Sequence, residues 1–376
     1  MYSAMTSPCS SATGQRGRRP RKHKTGIFHL YDLGRPQVDW QQGPASVPDD
    51  PDVLLRRVAF ECFICGEPLN KITDHAKQDT NEHIFPQWLQ RRFDLADLPI
   101  TLSDGRQIKY SDALIPACRQ CNNVYMSGIE SRMSNAVVGF DAFNNLPKYA
   151  VFLWCAKIYY GRMHLEVQPR DGTTKLPQPP SLPPDFLKDC KWLLQLLQGF
   201  RKRVLVSGHP LLPFSVIRVP LQVGKDETFY FQSRSPTKLP GIALQMGRVG
   251  LISVFDDFGL TENWYTQHFA RALAGKALHP VQFWELAGRA FYATSLQPFH
   301  TFCSLLEGEF DMWLEYSPEP EHQEEFDQKA AASWVRLFTN APKDVPFWNP
   351  KTGGTITFLM KSDDSFNDMP LGDDDP

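Results

Sequence analysis

The chain has 376 residues, 42% of them hydrophobic and 12% aromatic, with a formal net charge of −2. That length exceeds what one compact core usually covers, so two globular parts plus tails are expected, and the apolar content excludes a chain disordered throughout. The near-neutral balance excludes a global electrostatic pull toward nucleic acid, but the charge is uneven: Arg16, Arg18, Arg19, Arg21, Lys22 and Lys24 crowd one end, and Asp373, Asp374 and Asp375 the other.

In chain order, residues 1–34 read as a basic tail, disordered over the first 25, and residues 35–57 as a polar, Pro- and Gly-rich lead-in. The basic run is either a solvated tail or a source of salt-dependent, sequence-blind contact with DNA phosphates. A module over 58–140 follows, bounded by Cys62-x-x-Cys65 and Cys118-x-x-Cys121. Within it, Glu82-His83-Ile84-Phe85 reads as a short strand that ends at Pro86, and Gln87 to Phe93 as an amphipathic helix with Trp88 and Leu89 inward. The turn Ser103-Asp104-Gly105 leads into a strand through Tyr110. Past Cys121, the spacing of Val124, Met126, Ile129 and Met133 predicts a helix with Asn122 and Asn123 in its first turn.

Residues 141–360 read as a larger α+β region whose sequence declares no chemistry. An apolar helix is predicted over Tyr149–Tyr160, a Pro-rich loop over Pro177–Pro184 and a helix over Asp185–Lys202. Strands are predicted at Arg203–Val206, Phe214–Val219, Thr228–Gln232, Ile242–Met246 and Gly250–Phe255. Helices follow near Asn263–Ala274, Val281–Ala293 and Glu324–Leu337, before an acidic tail over 361–376. Trp154, Trp192, Trp264, Trp284, Trp313 and Trp334 read as core anchors, the histidines of this half show no ligand spacing, and Asp256-Asp257 reads as a strand end and turn.

Of eight cysteines, Cys9, Cys155, Cys190 and Cys303 are scattered, which suits a reducing compartment with buried thiols and not a disulfide framework. No run of eighteen apolar residues and no signal-peptide core occurs, so a cytoplasmic protein without a membrane partner is expected.

The remaining four cysteines form two close pairs across a 52-residue gap. Each pair can bite one ion from a tight turn, and four thiolates make a tetrahedral, closed zinc site, hence a structural one. Glu82-His83 between them is different chemistry: the carboxylate can bind a hard cation and the imidazole can take a proton near neutrality. On a strand the two side chains point to opposite faces. Asp74-His75 is a second acidic-His dipeptide, but it lies in a polar run and reads as loop.

Together, Cys62-x-x-Cys65, Glu82-His83-Ile84-x-Pro86 and Pro116-Ala117-Cys118-x-x-Cys121-Asn122-Asn123 resemble the zinc-stapled branch of the HNH endonuclease family, over about 80 residues. The resemblance implies an α+β chain with a ββα-metal module and a four-cysteine structural Zn2+ site, followed by the larger α+β domain. It implies a phosphodiester hydrolase dependent on Mg2+ or another divalent ion, acting on DNA, double-stranded above all, in settings such as prokaryotic defence or mobile elements. His83 would be the general base, and Glu82 and Asn122 would hold the catalytic ion, with Asn123 sharing or replacing Asn122. Ala113 stands where many relatives carry an Asn that orients the base, and Glu130, two helical turns further on, is either another acidic contributor or, the commoner case at that distance, an ordinary surface residue. The alternative is a non-catalytic zinc module that binds nucleic acid or a protein partner.

Overall fold

In the computed structural model, residues 61–69, 79–167 and, with short breaks, 187–371 are described; the basic tail, the lead-in and Asp74-His75 lie outside them. The protein is α+β. A strand β1 (Asp79–His83) is followed by a helix α1 (Gln87–Arg92), a small antiparallel pair β2 (Pro99–Thr101) and β3 (Gln107–Lys109), and a strand β4 (Leu114–Cys118) that returns antiparallel to β1. The strand expected over Glu82–Phe85 instead spans Asp79–His83 and ends before Ile84, and Pro86 stands at the N-cap of α1, where its fixed φ suits a helix entry. After β4 the chain winds directly into a π-helical segment, Gln120–Met126, and then α2 (Ser127–Ala136). The short α3 (Phe140–Asn144) leads to the 20-residue α4 (Lys148–Val167).

Helix α4 is buried on nearly every side, and Trp154, Cys155, Ala156, Ile158 and Tyr159 have no measurable exposure. A helix of that kind belongs in the middle of a protein. One side meets β1 and β4: a Cβ placed on Gly161 would lie 3.0 Å from the Ile115 side chain and 3.4 Å from Ile84, so glycine permits the close approach. Another side meets a four-stranded antiparallel sheet of order β6-β9-β8-β7, made of β6 (Phe214–Pro220), β7 (Phe229–Arg234), β8 (Gly241–Met246) and β9 (Val249–Phe255). There Phe152 stacks on Phe214 at 3.9 Å between centroids and Tyr159 meets Phe255 edge-on at 5.1 Å. Such ring pairs contribute about 0.5–1.5 kcal/mol each beyond their buried area.

The sheet strands alternate faces with period two, and both faces are apolar. Phe214, Val216, Ile242, Leu244 and Leu251 join the core around α4, whereas Ile217, Val219, Ala243, Ile252 and Val254 join a second core beneath α7 (Pro280–Ser295). The first of these cores runs from Cys62 to Phe258 without a break at residue 140. Helix α6 (Leu260–His268) precedes α7, and α7 starts at a capping box: the His279 imidazole accepts from Val281 N–H at 3.2 Å, and the Gln282 side chain accepts from His279 N–H at 2.9 Å. Pro280 occupies the first turn.

Helix α8 (Gln328–Thr339) crosses α7 at Gly288, where a Cβ would sit 2.9 Å from Val335 Cα. The remaining elements are α5 (Lys191–Leu197), a sheet of β5 (Arg203–Ser207), β10 (Phe299–Glu307) and β11 (Asp311–Pro320), and a minimal pair β12 (Trp348–Asn349) and β13 (Gly354–Thr355). Part of the segment after 361 lies on the body: Gln282 of α7 donates to the Asn367 carbonyl at 2.7 Å. Among the described residues no helix is long and apolar enough to cross a membrane.

Candidate metal centre and Glu-His site

The first cysteine pair sits on a tight knuckle. Cys62 N–H donates to Glu67 O at 2.9 Å, Gly66 N–H donates to Cys62 O at 2.8 Å, and Gly66 takes φ +70°, a conformation that glycine adopts without strain. The second pair straddles the exit of β4, with Cys121 N–H donating to Cys118 Sγ at 3.4 Å. Phe63 N–H donates to Pro116 O at 3.0 Å and locks the knuckle onto β4. A buried Gln198 amide donates to Ile64 O at 2.7 Å and ties the knuckle to the chain after α5.

All four sulfurs, of Cys62, Cys65, Cys118 and Cys121, lie within 4.8 Å of one another, and Cys65 and Cys118 are 3.7 Å apart. Zinc–sulfur bonds of about 2.3 Å set tetrahedrally require sulfur separations of about 3.8 Å, so the cluster can hold a metal ion such as zinc. Their ionisations are tied together: the Cys118 thiol is held far below its usual range, by its bond from Cys121 above all, and that bond raises Cys121 in turn. Without a cation the cluster ionises only in part. A divalent ion is what lets four neighbouring thiols act as thiolates.

The Glu-His dipeptide ends β1, with Glu82 opposite Ile115 and His83 opposite Leu114 in β4. Consecutive strand residues face opposite ways. Glu82 turns inward and is 5% exposed, while His83 is half-buried. The inward side meets α4, and there Lys157 bridges two carboxylates: it pairs with Glu82 Oε1, pairs with Glu130 Oε1 of α2 at 2.6 Å, and donates to the His83 carbonyl at 3.1 Å. Lys157 has no exposure at all. Oε2 of Glu82 and Oε2 of Glu130 carry no hydrogen bond among the described residues.

Burial raises the Glu82 carboxyl, Lys157 lowers it, and the net direction is up. Lys157 is raised despite its burial by Glu130 and then Glu82, so its ammonium keeps its proton. Burial first, and the Lys157 charge second, push the His83 imidazole below its ordinary value. Its ring has no hydrogen bond among the described residues. At neutral pH His83 is therefore a neutral imidazole, able to accept a proton. Ala113, at the position of the missing Asn, is buried and its carbonyl accepts from Ile84 N–H at 3.0 Å. An alanine side chain has no group that could orient His83.

Asn122 is half-buried and Asn123 exposed, both on the π-helical segment that leads to Glu130; neither is among the groups bonded to Lys157. Sequence reasoning missed Lys157 and ranked Glu130 as a surface residue ahead of an acidic contributor. The available signal was a lone cation inside the apolar run of α4, since a buried lysine needs a charged partner. In the other half, Asp257 is fully buried and accepts from Ser215 at 2.6 Å and from Thr261 N–H at 2.9 Å, capping α6. Comparison of the chain with family models, with curated proteins and with solved structures found no match.

Proposed function

We propose that residues 58–140 act as an HNH-type endonuclease, hydrolysing phosphodiester bonds in double-stranded DNA with His83 as the general base. The observation that carries this reading is His83 itself: half-buried, held below its ordinary value by burial, and with no hydrogen bond to its ring among the described residues, on a strand whose inward neighbour Glu82 belongs to a charged cluster. The antiparallel β1–β4 pair running into a helix, stapled by four cysteines, supports a ββα-type module around it.

Zinc is the structural ion in this reading, closed by Cys62, Cys65, Cys118 and Cys121. A second divalent ion, Mg2+ or a similar one, would be held by Glu82 through its unbonded Oε2 and by Asn122, with Asn123 as the alternative amide. When bound, that ion supplies positive charge against the scissile phosphate and the leaving oxygen. His83 would take the proton of the attacking water, and the Lys157 ammonium beside Glu82 offsets part of the rise that burial causes in its carboxyl. The free thiols suit a reducing compartment such as the cytoplasm.

Plasmid relaxation with Mg2+ or Mn2+ tests the proposal. Purified protein should nick supercoiled DNA, and His83→Ala should retain zinc and DNA binding while nicking falls by about 10²-fold or more. Undiminished nicking by the variant removes His83 from the mechanism. The second reading, a zinc module that binds without cutting, draws on Ala113, whose methyl group cannot orient the His83 ring. Retained DNA binding with no nicking by wild-type protein would favour it.

A further inference from the structure

The strongest unassigned feature is a lysine where stability alone would not put one. Lys157 lies in the middle of α4 with no exposure, flanked by Trp154, Cys155, Ala156, Ile158 and Tyr159, all equally buried. Taking an ammonium out of water costs more than a surface ion pair returns, and an apolar side chain of the same length would fill the space at less cost. What the lysine does is join three elements: Glu82 on β1, Glu130 on α2 and its own helix α4, with the His83 carbonyl as its third acceptor. Gly161, one turn further along α4, lets the helix come close enough to Ile115 and Ile84 for that reach.

We propose that Lys157 is the positioning residue and built-in counter-ion of the Glu82–Glu130 pair, fixing one oxygen of each carboxylate and setting how tightly the site takes a divalent cation. The role rests on the ion-dependent nuclease reading given above. Both Oε1 atoms are taken by the ammonium and both Oε2 atoms are not. The lysine therefore does two opposing things. It orients the carboxylates, which favours chemistry, and it cancels part of their charge, which weakens attraction for a second cation a few ångströms away.

The two effects come apart in Lys157→Met. The folded, zinc-loaded variant should bind Mn2+ about tenfold more tightly or better by titration calorimetry, because a unit positive charge has left the site. At saturating Mn2+ it should nick plasmid at least about tenfold more slowly, because the carboxylates have lost their common anchor. An unchanged Mn2+ affinity in zinc-loaded Lys157→Met overturns the proposal, and so does nicking at the wild-type rate. Glu130→Gln gives an independent answer if Lys157→Met does not fold. It leaves the ammonium facing Glu82 alone, and Mn2+ affinity should weaken about tenfold or more; an unchanged affinity overturns the proposal as well. If wild-type protein nicks nothing under any condition, the nuclease reading fails, while the Mn2+ affinities still decide the role of Lys157.

Discussion

Two charged clusters sit a few residues apart in this protein, and they solve the same problem in opposite ways. At the knuckles, four sulfurs from Cys62, Cys65, Cys118 and Cys121 converge within 4.8 Å of one another, so their mutual charge as thiolates asks for an external ion. At the Glu-His site, Glu82 and Glu130 converge on Lys157, so the cation is part of the chain. In the reading proposed above, the first arrangement ties folding to a metal. The second pre-neutralises its carboxylates and leaves the dependence on an added ion to be tuned. In that reading one cluster is a staple and the other an adjustable site.

The largest expected effect separates them by metal removal. Cys118→Ser should lose the bound zinc and much of the module's fold, whereas Glu130→Gln should keep both; zinc analysis alongside circular dichroism reads the difference. If Cys118→Ser stays folded and metal-loaded, the contrast collapses. Next comes the core that joins the two clusters to the sheet. Phe152→Ala removes the partner stacked on Phe214 and should cost about 3–5 kcal/mol in chemical denaturation. A loss under about 1 kcal/mol would mean that α4 is not anchored there.

pH sharpens the comparison further. His83 lies below its ordinary value of 6.5, so its base form persists as pH falls past neutrality. The acid limb of the nicking rate should therefore have its midpoint below 6.5, and a midpoint above that value contradicts the environment assigned to His83. A separate effect is on stability. His164 is fully buried, its Nδ1 has no partner among the described residues, and burial pushes it down to about 3. The unfolded chain binds that proton first, so stability is full above about 6.5 and is lost as pH drops toward about 3. His164→Phe should flatten this slope in denaturation curves collected across that range. The smallest effect expected is at Gly161: an alanine there presses on Ile115 and should slow nicking modestly without loss of zinc.

Much of the architecture was legible because it follows from period and punctuation. The strands β6 to β9 and helix α7 emerge within a few residues of their expected ends, since β-branched and aromatic runs between turn residues leave few alternatives. The helix over Tyr149–Tyr160 extends to Val167, because its polar-looking end is buried as well, His164 and Glu166 included. The pair β10 and β11 was not legible. Pro318 and Pro320 argue against a strand, yet they fall beyond the stretch Asp311–Glu315 where β11 pairs with β5, so that neighbour loses no hydrogen bond to them.

The candidate site divides in the same way. Cys62, Cys65, Cys118 and Cys121 announce themselves by local spacing, and Glu82-His83 by adjacency. Lys157 is 75 residues from Glu82 and 27 from Glu130, so only the packing of α4 against β1 and α2 brings them together. Local spacing cannot carry such a contact. The sequence signal that remains is an unexplained charge in an apolar helix.

The central claim is that His83 acts as the base, and chemical rescue tests it most directly. Nicking by His83→Ala should be partly restored by added imidazole, in proportion to the unprotonated imidazole present, while the wild-type rate stays unchanged. Nicking by His83→Ala at the wild-type rate, or a slow variant that imidazole at any pH leaves untouched, would contradict the account.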